Sequence, residues 1–405
     1  MVAGPACPTV APYPSRMPGS EVVVIGGGIV GTAAAAFLAE QGASVLLLER
    51  TDIGAGASGR NLGALQHPYD RELVALHTET LAIYRAMIPT RGGFAIPETP
   101  AGLLILSPER AVLEHEADRL RGAPELRPDL LEPRRTRSLE PGLADDLWSL
   151  RLDTGYPVPP RAATAAMAER ALAAGVRIET GRAAVPSIER GRVTGVLVEG
   201  ARHVAADSVL LAAGPWSPYL LDPSGRWRPI AATWGATAQL SMAAPPRHVL
   251  EEVRVAGVNQ PVGADDEAAP APDPEATPSL FTLAAADGVA TIGSTFLAAE
   301  PNHRALGPIL VNRGVRYLPA LRDATVTGTR ACARPQSLDG RPLTGHLPGV
   351  EGLVLAAGHG PWGISCGPAT ARMAVAALLA GSDDPVPQAL RAARFADAAL
   401  AEALG

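Results

Sequence analysis

Gly26, Gly28 and Gly31 stand in the spacing G-x-G-x-x-G, and an acid, Glu49, follows 18 residues after the last of them. Each position has a physical task in binding a diphosphate. The first glycine permits a tight turn, the second lets a pyrophosphate approach the backbone, and the third lets helix and strand pack closely. A carboxylate at Glu49 can accept hydrogen bonds from both hydroxyls of an adenosine ribose and disfavours a 2′-phosphate. A second glycine-rich stretch, TDIGAGASGRNLGALQHP, follows at once with Arg60 and Asn61 and can wrap the rest of a large cofactor or serve as a surface loop. A third, GHGPWGISCGPAT at 358–370, places glycines beside His359, Trp362 and Cys366. Glycines there allow the backbone close to a flat ligand, and the start of a helix directs free N–H groups and a positive dipole end toward it.

These residues need elements to hold them. The run EVVVIGGGIVGTAAAAFLAEQGASVLLLER predicts a strand ending at Gly26, a helix over 32–41 stopped by Gly42, and a second buried strand: a β-α-β unit. In that context the glycine motif signals a dinucleotide site, although the motif by itself does not decide NAD from FAD. Helices are expected over 70–88 and 160–174, with 109–140 charged and helical in pattern. A hairpin and a buried strand lead to Gly214, and 226–300 alternates strands and turns without helices, the mark of an antiparallel sheet outside the nucleotide domain. GLVLAAG at 352–358 reads as a buried strand and 367–381 as an apolar helix with Pro368 in its first turn. The acidic, proline-rich stretch at 263–278 reads as a surface insertion or a lid.

Composition excludes several chemistries. With 405 residues, 47% of them hydrophobic, the chain can bury a substantial core. Its formal charge of -6 gives no broad attraction to nucleic acid or anionic lipid. It contains no lysine, so Schiff-base chemistry and a Walker phosphate loop are ruled out, while arginine remains to bind carboxylates. Cys7, Cys332 and Cys366 fit neither a disulfide framework nor a metal knuckle. Residues 1–20 read as a disordered leader, and no apolar run is long enough to span a membrane. A reducing, cytoplasmic setting is the expectation.

The chain resembles the FAD-dependent oxidoreductases of the D-amino acid oxidase, glycine oxidase and sarcosine oxidase type. The resemblance rests on VIGGGIVG, GASGRNLG, AAGPWS (212–217), RPQSLDGRPLTG (334–345) and GHGPWGISCGPAT, in order, over 21–381. It implies an α/β fold: a Rossmann-like, glutathione-reductase-like FAD-binding domain with an inserted antiparallel-sheet α+β substrate domain. The FAD domain would comprise 21–90, 150–222 and 325–385, the substrate domain 91–149 and 223–324, and 386–405 a C-terminal helix. FAD contact is implied for Gly26, Gly28, Ile29, Val30 and Gly31, for Glu49 and Arg50, and for Ser58, Gly59, Arg60, Asn61 and Gly63. It is implied also for Val185 beside adenine, for Ala213, Gly214 and Trp216, and for Gly358, His359, Gly360, Gly363 and Ile364 around the flavin.

The same resemblance implies oxidation of an amine or amino acid to an imine, with hydride passing to flavin N5 and the imine then hydrolysing. Candidate catalytic residues are Arg334, aligned with the arginine that pairs with a substrate carboxylate, His359, and Trp362 as a wall over the substrate or as core. Trp216 and Trp234 are expected to pack. Cys332 lies seven residues before Asp339, as does the cysteine that carries flavin covalently in monomeric sarcosine oxidases, but Arg334-Pro335 departs from that pattern. Cys366, at the start of a helix, is a second candidate for covalent attachment. FAD is therefore expected to be non-covalent, with a link through Cys332 as the alternative. The lysine that assists oxygen in sarcosine-oxidase-like members is absent, so a dehydrogenase passing electrons to a partner protein stands beside an oxidase. A nucleotide-binding module without redox activity is the alternative from another class.

Overall fold

The computed structural model describes residues 21–87, 94–253 and 277–404. It opens with the expected unit: β1 (Glu21–Ile25), α1 (Ile29–Glu40) and β2 (Ser44–Glu49). β1 lies between β2 and the strand Ser208–Leu211, parallel to both. Arg177–Thr180 extends the sheet beyond β2, and Leu353–Ala357 and then Leu343–His346 extend it on the other side, the last running antiparallel.

The alternation of side chains explains why these strands are apolar without interruption. Val22, Val24, Val45 and Leu47 face a helical layer made of α1, Ala162–Ala173 and Gly363–Ala380. Val23, Ile25, Leu46 and Leu48 face the opposite layer, where a three-stranded antiparallel sheet (Ala184–Glu189, Arg192–Val198, Arg202–Ala205) and Trp227 cover them. A sheet covered on both faces has no polar side to show. The alanines of α1 are buried because two helices press on it, and a Cβ on Gly367 would touch Ile29 and Val30.

A second sheet of eight strands is antiparallel except where Val249–Glu252 runs parallel to Leu103–Ser107. One face packs on the helix His303–Val315 through Ala236, Ala238, Leu250, Phe281, Leu283 and Ile292. Glu252 fastens that layer, accepting hydrogen bonds at 2.6 Å from Arg313, the Tyr317 hydroxyl and the Phe281 amide. The other face bears Gly235, Thr237, Thr282 and Glu251 and turns toward the first domain.

Several expectations need correction. The strand Thr325–Ser337 pairs along its whole length with Ile230–Ser241, so the second sheet extends to 337 and also takes in Trp148–Leu152. Within 109–140 the helices Arg110–Arg119 and Pro133–Leu139 flank a short strand, Asp129–Leu131, that edges this sheet. The C-terminal segment has two short turns, Gln388–Leu390 and Ala392–Phe395, before the helix Ala398–Leu404. The leader 1–20 and all of 263–278 except Thr277 and Pro278 lie outside the described residues.

The late helix begins at Gly363, four residues before the expected start, and Pro368 therefore lies inside it. Proline has no N–H to offer the carbonyl of Ile364 one turn back. The helix Arg71–Arg85 supplies what is lacking. Tyr84 donates its hydroxyl proton to the Ile364 carbonyl at 2.9 Å, His77 Nδ1 lies 3.2 Å from the Ser365 carbonyl, and Thr80 Oγ1 accepts from the Ala369 amide at 3.2 Å. Residues 77, 80 and 84 share one helical face, so a single element bridges the interruption. By length and composition the stretch Gly360–Ala380 could cross a membrane, yet most of it is buried here between α1 and Arg71–Arg85.

Candidate active site

A cavity of about 660 Å³ extends from the turn after β1 to the open face of the second sheet. Gly26 to Val30, Glu49 and Arg50 line one end. Gly26 has φ +115, and a Cβ there would strike the carbonyl of Ala212. A Cβ on Gly31 would overlap the carbonyl oxygen of Gly26, so the third glycine is needed for packing and does not itself line the cavity. Glu49 is held firmly: one carboxylate oxygen accepts from the Gly27 amide at 2.7 Å, the other from the amide and hydroxyl of Thr51 at 2.8 and 2.9 Å. The carboxylate thus ties the glycine turn to β2. The Ser58 hydroxyl oxygen accepts from the Ile29 amide at 3.0 Å, while α1 carries no side-chain cap at Gly28 and keeps other amides free. Arg50 stacks on Trp216, its guanidinium carbon 3.9 Å from the ring centroid, and both line this end.

His359, Gly360, Gly363 and Ile364 line the cavity further along, at an uncapped helix start. Gly360 has φ +53, and a Cβ would press on the Gln336 side chain. His359 is 2% exposed, its Nε2 has no partner among the described residues, and burial lowers its pKa to about 4. A neutral ring with an unused nitrogen and a row of free amides suits a flat ligand that gains negative charge. Arg60, Asn61, Ser58, Ala213 and Gly214 also reach the lining, whereas Gly59, Gly63 and Gly358 stand behind it. Gly59 packs on Gly54, and Gly63 on Val158.

Arg334 lies on the wall formed by the second sheet. Its Nη1 donates to the Thr295 carbonyl and its Nη2 to the Ser294 hydroxyl, both at 2.9 Å, and its guanidinium carbon is 4.9 Å from the Phe296 ring centroid. Burial lowers its pKa, and among the described residues it pairs with no carboxylate. Guanidinium stays charged even so, and three of its five donors are left over.

Four expected residues stand elsewhere. Val185 is 37% exposed on the three-stranded sheet, and Arg182, Ala183 and Ala184 line the cavity in its place. Trp362 turns to Tyr69, ring edge to face at 5.9 Å, and joins the helical core. Trp234, expected to pack, lines the cavity. Cys366 is fully buried away from it, its Sγ near the Leu73 carbonyl at 3.9 Å, and burial raises its pKa. Cys332 does line the cavity, with burial outweighing three nearby arginines to push its thiol pKa up.

Sequence reading passed over Gln66, Thr237, Glu251, Thr282, Ser294 and Phe296. Gln66 donates to Glu251 at 3.3 Å. Thr237, Gly293, Thr282 and Glu251 fall in one cross-strand row. Single polar residues inside otherwise apolar strands, such as Thr282 in SLFTLAAA, were the available signal, but the register that aligns those strands is not written in any one of them.

Residues 21–377 match the family described as FAD dependent oxidoreductase. The chain belongs to that family. It is 32% identical over 211 residues to glycine oxidase of Pseudomonas putida, a match taking in half of each chain. Glycine oxidase of Geobacillus kaustophilus superposes with a TM-score of 0.74 at 23% identity, over 93% of this chain and 98% of that one. L-proline dehydrogenase of P. horikoshii gives 0.75 at 19% identity, over 93% and 97%. At these identities the two structures show a shared fold: the α/β FAD-binding domain with a second sheet expected from the sequence.

The residues fit the cofactor. A cavity with the glycine turn and the Glu49 carboxylate at one end, and at the other a buried His359 whose Nε2 has no partner among the described residues and an uncapped helix start, has features that FAD requires.

Proposed function

We propose that this oxidoreductase converts the C–N single bond of an amino acid, or of an amine bearing a carboxylate, to an imine that water then hydrolyses. FAD when bound supplies the two-electron acceptor for the substrate hydride. The protein's own contribution is position. Arg334 takes the substrate carboxylate in a charge-assisted pair, Thr295 and Ser294 fix the plane of the guanidinium, and the wall around Trp234 and Phe296 excludes water from the reacting carbon. His359, neutral above a pH of about 4, fixes the cofactor's ring end and carries no proton of the reaction.

The observation that carries this reading is Arg334: a cation on the cavity wall that pairs with no carboxylate among the described residues and lines the same cavity as His359 and the late helix start. The resemblance in sequence to a glycine oxidase agrees with it. Anaerobic mixing of the yellow holoenzyme with a panel of amines tests it: the visible flavin band bleaches with a carboxylate-bearing amine, and Arg334→Met raises KM for that substrate about 100-fold. An unaltered KM in Arg334→Met, or bleaching by none of the panel, refutes the assignment. A colourless preparation that retains NAD would make the chain a binding module.

The absence of lysine favours a second reading for the oxidative half. The cations lining the cavity are Arg50, Arg60, Arg182 and Arg334, and no ammonium stands beside the flavin to assist oxygen. The protein would then act as a dehydrogenase with a partner protein as acceptor. Peroxide release in air supports oxygen instead. We take FAD to be non-covalent, because attachment requires the Cys332 thiolate and burial disfavours it. We take the setting to be a reducing cytoplasm, since the three cysteines of the sequence fit no disulfide framework.

A further inference from the structure

We infer that Gly235 is a positioning residue for Arg334, the groove in which the guanidinium lies, and that Ser294 sets its orientation; the inference rests on reading Arg334 as the carboxylate anchor. Arg334 sits opposite Thr233 on the neighbouring strand, and Gly235 sits opposite Cys332, two places along on the same face. To reach Ser294 and Thr295 on the strand beyond, the arginine side chain must cross Gly235. A Cβ built on Gly235 would clash with Cζ, Nη1 and Nη2 of Arg334. Glycine is not required there by the backbone, since φ at Gly235 lies outside the left-handed region. Space alone demands it.

The guanidinium is therefore held between a bare stretch of strand and the ring of Phe296, with its hydrogen bonds to Thr295 and Ser294 fixing rotation in that plane. A long side chain that would otherwise sample many rotamers is committed before any ligand arrives. Its free edge can meet a planar carboxylate without rearrangement. Any side chain at 235 would lift the guanidinium into the cavity, break both hydrogen bonds and occupy the volume that the carboxylate needs.

The test uses FAD-loaded enzyme and propionate, a carboxylate with no amine to oxidise, titrated by calorimetry. Gly235→Ala is expected to weaken propionate at least 10-fold, with KM for a carboxylate-bearing substrate rising by a similar factor and kcat changing far less. Ser294→Ala, which adds no atoms, is expected to weaken propionate about 3- to 10-fold. If Arg334→Met abolishes propionate binding while Gly235→Ala and Ser294→Ala bind like the parent, the inference fails and the anchor stands. If Arg334→Met also binds like the parent, the anchor itself is wrong. Should Gly235→Ala fail to retain FAD, Ser294→Ala decides: parental affinity overturns the inference.

Discussion

Removing the Tyr84 hydroxyl should destabilise the protein only as long as residue 368 is proline. Tyr84 is 1% exposed, and its hydroxyl donates at 2.9 Å to the Ile364 carbonyl, which Pro368 cannot serve. Tyr84→Phe keeps the ring and leaves that buried acceptor without its donor, at a cost of about 1–3 kcal/mol. At about 2.1 cal/mol/K per residue, 405 residues give an unfolding entropy of roughly 0.85 kcal/mol/K, so Tm should fall by about 1–4 °C. Pro368→Ala returns an N–H to the helix and lets residue 368 satisfy Ile364 itself. In that background Tyr84→Phe should cost less than half as much. Four proteins (parent, two single variants and the double) melted at one saturating FAD concentration complete the cycle, and fixed ligand is essential because Tm moves with it. Equal losses with proline and with alanine at 368 would show that the hydroxyl does not substitute for the missing amide, and the explanation of the displaced helix start would be wrong.

Two further outcomes can be checked directly. His77 and His359 are buried with pKa values lowered to about 4, so the unfolded chain takes up these protons near 6.5 and the folded chain does not. Stability should be full above pH 6.5 and drain as pH falls toward about 4, by at most about 3 kcal/mol per ring. In a series of melts against pH, His77→Asn should show a shallower acid limb, and a limb as steep as the parent's would exclude His77 as a source. Acid precipitation should leave flavin in the supernatant, since the Cys332 thiol is held protonated. A fluorescent pellet that Cys332→Ala renders colourless would establish a covalent bond instead.

The first domain was legible because its signals are local. Glycines at fixed offsets, an alanine helix and two apolar strands occupy thirty consecutive residues, and each demands the same unit. The late glycine stretch was legible as a ligand site, but its helix was misplaced: Pro368 reads as a first-turn proline unless one knows that Tyr84, 284 residues earlier, repairs the interior break. Trp362 illustrates the same limit, since its choice between substrate wall and core was made by Tyr69. The wall opposite the flavin was the least legible part. Glu251, Thr282 and Thr237 come into one row only through the order and register of four strands, and Gly235 has meaning only once Arg334 is seen crossing it.

β1 lies between strands that the ribosome delivers at very different times. Its partner β2 follows immediately, but the strand at 208–211 comes much later, and the helix that closes the cavity against α1 is complete only at residue 380. At roughly 5–20 residues per second, the nascent N-terminal segment waits about 20–70 s with the part of its apolar face that meets Gly363–Ala380 uncovered. The cofactor cradle is thus assembled only once residue 380 has been made, and a chain truncated before residue 363 would leave a hydrophobic half-domain for chaperones to hold rather than a weakened enzyme.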